Sequence, residues 1–209
     1  MGEAPTKIYV TTDAVTFGLS AEGELRVALI RRRNEPYQGC WCLPGGFVDE
    51  HEDLPDACAR ELFEETGLAA AAMFQIGAWG KPGRDPRGRN VTVAYGCAVH
   101  PDEQDAVAGD DAADAAWYPV DDLPPLGFDH ADILAAGLRE LRRLARCTHV
   151  AFAFLGDRFT LHEVGEVMVA LLGREDGAAE VPGLLDAGSV EPAGDMYRCT
   201  ADEFLAPLG

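Results

Sequence analysis

Glu61, Glu64 and Glu65 stand at i, i+3 and i+4 in the stretch Arg60-Glu61-Leu62-Phe63-Glu64-Glu65-Thr66-Gly67. On a helix that spacing makes three carboxylates neighbours on one face. At about 100° per residue, Glu61 and Glu65 fall within the arc of Leu54, Ala57 and Cys58, the side that should meet a core. Like charges placed so repel one another, and burying them unpaired is costly. A hard divalent cation resolves the conflict. Mg²⁺ or Mn²⁺ takes carboxylate oxygens, keeps some waters and bridges to substrate phosphates. Such an ion activates a bound water and neutralises charge on a phosphoryl group. A solvated acidic turn is the alternative, and it explains the arc poorly. Phe63 points the opposite way, so this helix is expected to have apolar contacts on both sides.

The elements that must position these acids can be read from pattern. Residues 7–18 and 25–31 are β-branched and aromatic strands, and Ala21-Glu22-Gly23-Glu24 turns between them. A polar loop, Arg31 to Pro36, leads to the Gly-rich Trp41-Cys42-Leu43-Pro44-Gly45-Gly46-Phe47-Val48 and a short strand. Residues 54–66 carry the helix, with Pro55 tolerated in its first turn and Gly67 as its stop. Residues 71–79 and 90–100 read as strands around a loop holding Arg84, Arg87 and Arg89. An acidic loop covers 101–114, a short strand 115–120 and a long helix 129–146, with Ile133, Leu134, Leu138, Leu141 and Leu144 at helical spacing. A smaller unit begins near 148. It has an apolar 150–155, a helix over 160–172 capped by Thr160, a weaker helix over 179–187 and a hairpin over 189–199.

The segment Gly46 to Leu68 resembles the signature of the Nudix hydrolases. That signature is Gly, five residues, Glu, seven residues, then Arg-Glu-aliphatic-x-Glu-Glu-x-Gly-aliphatic. Gly46, Glu52, Arg60, Glu61, Leu62, Glu64, Glu65, Gly67 and Leu68 fill its fixed positions. The resemblance implies an α+β fold, the Nudix α/β/α sandwich, over residues 1–147. It also implies hydrolysis of a nucleoside diphosphate linked to another group X, with Mg²⁺ or possibly Mn²⁺ as cofactor. Carried over by position, Glu61, Glu64 and Glu65 are the catalytic metal ligands and the Gly45 carbonyl is a further ligand. Glu52 and Arg60 brace the loop–helix–loop as a structural ion pair. Candidates for the general base are Glu61, Glu103, Asp110, Asp111 and Asp114.

Arg84 to Arg89, Asn90 to Tyr95 and Leu126 to His130 resemble a bacterial subgroup of that family. It contains ADP-ribose pyrophosphatases and Nudix-type regulators of NAD metabolism, so an ADP-ribose-like substrate is favoured. The pattern departs at Gly127, where alanine is more usual. Arg84, Arg87 and Arg89 are candidate phosphate clamps, because guanidinium suits bidentate phosphate binding. Arg31, Arg32 and Arg33 are a second set. Trp41, Tyr95 and Trp117 could stack on a base but read better as core, and His130 could touch ligand but reads better as a capping or core residue. In the related regulators a DNA-binding winged helix follows the Nudix domain. Arg158 to Val164 and Leu171 to Glu175 resemble its opening, while Asp176 to Gly183 departs, lacking the basic residues the regulators place there. Residues 148–209 are expected to form a winged-helix-like unit that packs on the first domain or forms a homodimer.

Composition narrows the partners. The 209 residues hold 17 Lys+Arg and 36 Asp+Glu, a formal net charge of −19. That argues against a general nucleic-acid or anionic-membrane binder. Residues 148–209 carry Arg158, Arg174 and Arg198 against 11 acids, a net −8, so DNA is an unfavoured partner and an ADP-ribose-sensing regulator is the second reading. No apolar stretch reaches the length of a membrane span, and the first residues lack a signal-peptide layout, so a cytoplasmic location is expected. Six cysteines in this length are too sparse for a disulfide framework and read as reduced thiols.

Overall fold

The run of β-branched and aromatic residues near the N-terminus becomes the central strand, β1 (Tyr9–Leu19). The structure, a computed structural model, describes residues 7–100, 112–186, 190–200 and 204–205. After β1 come β2 (Leu25–Arg32), β3 (Trp41–Cys42), β4 (Gly45–Phe47), α1 (Leu54–Thr66), β5 (Ala72–Trp79), β6 (Asn90–Ala98), β7 (Ala112–Pro119) and α2 (His130–Ala145). A 3-10 turn, Val150–Phe154, then leads to α3 (Leu161–Leu172), α4 (Arg174–Asp186) and the hairpin β8 (Val190–Ala193) with β9 (Met196–Cys199).

Seven strands form one mixed sheet in the order β3-β2-β1-β6-β5, with β7 on β2 and β4 on β1. β1 runs parallel to β6 along one edge. Its other edge is shared. β4 takes Thr11 to Asp13, and β2 takes Thr16 to Leu19. The sheet therefore splits beside Asp13 and Ala14, and Pro44 fills the gap by accepting the Ala14 amide at 2.8 Å.

Strand alternation sends neighbouring residues to opposite faces. Ala14 and Ala28 lie with Cys58 and Leu62 of α1, while Val15, Phe17, Val27 and Leu29 lie with Ile133, Leu134 and Leu141 of α2. This gives an α+β sandwich with one helix on each face. Small Ala14, Ala28 and Cys97 lie under α1 together with the larger Tyr95 and Val99. Phe63 corrects one expectation. It is 62% exposed, because the sheet covers only one side of α1 and no described element meets the other.

The apolar cluster under α2 continues without a break into the C-terminal residues. Val150, Phe152, Phe154, Phe159, Val164, Met168, Leu171 and Leu184 belong to the same cluster as Val15 and Leu141. α4 starts at Arg174, five residues earlier than its sequence pattern suggests, and carries Pro182 inside it. A Cβ at Gly177 would lie 2.4 Å from the Met168 carbonyl oxygen, so close α3–α4 contact requires glycine despite its poor helix propensity.

Candidate metal and phosphate site

α1 is fixed at both ends. The Asp53 side chain caps the Leu54 amide, Pro55 sits in the first turn, and Gly67 closes the helix at φ 71° with its amide on the Phe63 carbonyl. Glu61 and Glu65 in the last turns face the split in the sheet, while Glu64 stays exposed. Glu65 Oε2 accepts the Gly45 amide at 2.9 Å. Glu61 lies against Gly46, where a Cβ would sit 2.4 Å from its carboxylate. Only glycine lets the β4 backbone approach that carboxylate so closely.

Arg60 gathers the remaining acids. Its Nη1 donates to Glu61 at 2.8 Å and to Glu64 at 3.2 Å, and its Nε and Nη2 grip both oxygens of Glu52 at 3.0 and 2.6 Å. Nη2 also reaches the Phe47 carbonyl, and Glu52 accepts the Asp49 amide. Hydrogen bonding to Arg60 draws the Glu52 carboxyl down to about 2. Burial raises the Glu61 carboxyl above its ordinary value, against the opposing pull of Arg60.

Among the described residues, no three carboxylate, imidazole or thiol side chains already surround one point as a ligand set. Arg60 and the Gly45 amide hold the box acids instead. The donors nevertheless fit a hard cation. They are all carboxylate oxygens, Glu61 is half-buried, and it borders an open cleft. Glu61, Glu65, Gly45 and Gly46 line a cleft of about 350 Å³ whose other walls include Arg32, Arg33, Arg60 and Arg87.

The arginines expected to bind phosphate separate in space. Arg84 turns inward, its side chain 5% exposed, and makes a two-pronged bond to Asp129 at 2.8 and 2.6 Å. Arg87 lines the cleft with its guanidinium over the rings of Phe47 and Phe128, while holding buried Asp85 at 2.7 Å. Arg89 lies along the Asn90 carbonyl and does not line the cleft. Arg31 binds the Gly39 carbonyl, and Arg32 binds the Pro36 carbonyl and covers Phe128. Trp41 packs edge-on against Tyr118, Tyr95 is buried, and Arg26 covers Trp117. Glu103, Asp110 and Asp111 lie outside the described residues, and Asp114 is exposed on β7 opposite Arg31. All six cysteines are free thiols.

Two further residues, Asp13 and His130, stand beside the cleft next to Gly45 and Gly46. Asp13 is a buried carboxylate on β1 whose Oδ2 has no hydrogen-bond partner. His130 opens α2, is equally buried, and accepts the Leu43 amide on Nδ1 at 2.9 Å. A lone aspartate within a run of β-branched residues was the available signal. Gly127, the departure from the subgroup pattern, has a local cause. A Cβ there would lie 2.8 Å from the Cys42 sulfur and 3.2 Å from Tyr37.

A mixed sheet between two helices, with Glu61 and Glu65 turned to a glycine-lined cleft and Glu64 exposed beside them on Arg60, defines a Nudix-type sandwich. The family model described as the NUDIX domain matches residues 11–137, and the chain belongs to that family. It is 39% identical over 118 residues to an ADP-ribose pyrophosphatase of Methanocaldococcus jannaschii, covering 56% of this chain and 69% of the relative. It is 32% identical over 169 residues to the ADPR responsive transcriptional repressor NtrR of Acinetobacter baylyi, covering 78% of this chain and 66% of that one. The chain thus spans about two thirds of each relative's length. The crystal structure of Shewanella oneidensis NrtR complexed with a 27mer DNA superposes with a TM-score of 0.78 at 30% identity, covering 96% of this chain and 99% of that one.

Proposed function

We propose that the chain is a Nudix hydrolase that cleaves the pyrophosphate bond of a nucleoside diphosphate linked to another group, with an ADP-ribose-like substrate favoured. The observation that carries this reading is the convergence of Glu61 and Glu65 on the Gly45-Gly46 backbone at the mouth of one cleft. Glu61, Glu64, Glu65 and the Gly45 carbonyl would hold the divalent ion, Mg²⁺ in the first instance. Bound there, it supplies an activated water and charge neutralisation at the phosphates. Glu52 and Arg60 brace the helix against the Phe47 backbone. Arg87 is the guanidinium of its loop best placed to meet a phosphate, with Arg32 and Arg33 on the opposite wall. The similarity to an ADP-ribose pyrophosphatase supports the substrate class.

The test is incubation with Mg²⁺ and a panel of ADP-ribose, NADH, ADP-sugars and oxidised dNTPs, with both products read by mass spectrometry. AMP release from ADP-ribose is the expected result, and Glu65→Gln is expected to abolish it with the fold intact. No AMP or NMP from any substrate by a folded protein would overturn the reading.

A second reading is a ligand-sensing repressor with a winged-helix-like C-terminal unit. The similarity to NtrR and NrtR along most of the chain favours it. The net −8 of residues 148–209 weakens it, because phosphate contacts need Lys and Arg. A salt-sensitive, specific mobility shift with the chain's own upstream DNA would establish it.

A further inference from the structure

Beyond the box, a buried polar chain links the core of the sandwich to Glu65. Leu43 N–H points at His130 Nδ1, so that nitrogen must be the unprotonated acceptor. The ring proton of neutral His130 is then on Nε2, which faces Asp13 Oδ1 at 3.6 Å. Asp13 is the only carboxylate within salt-bridge distance of that nitrogen among the described residues. Arg84 stands 3.6 Å from Asp13 Oδ2 and grips Asp129, the residue before His130, with both prongs. Asp129 makes no side-chain cap bond to α2, being held by Arg84 instead. Two residues beyond Leu43, the Gly45 amide donates to Glu65. Pro44 between them is locked to β1 through the Ala14 amide. The segment Leu43-Pro44-Gly45 is therefore pinned at each residue, and its first pin is an imidazole.

We propose that Asp13 and His130 are positioning residues for the glutamate site: His130 fixes the Leu43 amide, the nearby Asp13 carboxylate favours the Nε2–H form electrostatically, and the Leu43-Pro44-Gly45 segment presents its Gly45 amide to Glu65. Arg84 serves the same purpose by anchoring the N-terminus of α2. This rests on the metal-site reading of Glu65. Partners of ligating groups typically govern metal affinity and turnover by about 10–100-fold. Gly45 would be one such partner, and His130 would act on the site only through the backbone.

Two isosteric substitutions separate this role from packing. In His130→Asn the side-chain oxygen takes the place of Nδ1 and keeps an acceptor for Leu43. In His130→Gln the terminal amide reaches toward Asp13 and the acceptor for Leu43 is lost. The readouts are amide exchange at Leu43 and Gly45, Mn²⁺ affinity by titration, and turnover where a substrate is known. His130→Asn is expected to stay within about threefold of the parent in all three. His130→Gln is expected to lose Leu43 and Gly45 protection and to weaken Mn²⁺ binding about tenfold or more. Equal behaviour of the two variants would overturn the proposal. Ring ¹⁵N shifts of His130 in the unsubstituted protein give an answer that survives a misfolded variant. A pyridine-type Nδ1 and a protonated Nε2 are expected, and the opposite tautomer would overturn it. These shifts and the exchange data stand even if no substrate is turned over, so failure of the enzymatic reading is seen separately.

Discussion

Gly46 is the position where one methyl group would tell most. A Cβ there meets the Glu61 carboxylate, the mobile end of a side chain, so the strand can accept Gly46→Ala if Glu61 moves aside. A modest stability loss of about 1–3 kcal/mol is expected, together with at least a tenfold fall in metal-dependent turnover. Thermal melts beside initial-rate assays check both. Glu52 supports a pH prediction. Arg60 holds its carboxyl at about 2, below its usual 4.5. A depressed carboxyl stabilises the folded state above the unfolded value and loses that contribution as pH falls through the folded one. The stability advantage of the parent over Glu52→Gln is therefore expected in full above about pH 5, shrinking between pH 4.5 and 2. Urea titrations at stepped pH measure it, and a difference unchanged down to pH 2 contradicts the pairing.

At the scale of elements, α1 and α3 owe their boundaries to caps. Gly67 ends α1 in the left-handed region. Alanine is strained there by about 1–2 kcal/mol, and Gly67→Ala should lower the urea midpoint by a corresponding amount. α3 begins with a reciprocal box: Thr160 accepts the Glu163 amide and Glu163 accepts the Thr160 amide. Thr160→Ala should cost about 1 kcal/mol. The free thiols report on the same packing. Burial pushes the Cys42 thiol up to about 12, and Cys58 and Cys97 are buried with it. Mild alkylation at pH 8 should spare these three in the folded protein and modify them only after unfolding.

For the whole molecule, the shared core bears on how the chain divides. We expect residues 148–209 to unfold together with the first 147, because Phe152, Phe159 and Met168 pack in one cluster with Val15, Phe17 and Leu141. Phe152→Ala should cost about 3–5 kcal/mol. It should shift the fluorescence transition of Trp41, Trp79 and Trp117, all of which lie outside the C-terminal residues. Two separate transitions in urea would mark two independent units. The net charge of −19 belongs to this scale too. Most of it is solvated, and a divalent ion at the box would allow so acidic a protein to hold a polyanionic substrate.

Local pattern carried the elements. Residues 54–66 form the helix drawn from them, the strand pairs agree within a few residues, and α3 begins at its Thr160 cap, because periodicity and caps are properties of neighbouring residues. The box glutamates were legible for the same reason, since acids at i, i+3 and i+4 are neighbours on a helical face. The partners of the arginines were not. Arg84 looked like its neighbours Arg87 and Arg89, yet it is buried on Asp129, 45 residues away, while Arg87 faces the cleft. Asp13 drew no notice within its strand, and only the fold brings His130 and Arg84 beside it. Burial decides which charges are spent on the scaffold and which are left for a ligand. Burial is set by contacts between distant segments, so the sequence alone determined the family and its acidic helix, and only the tertiary structure decided which residues hold that helix in place.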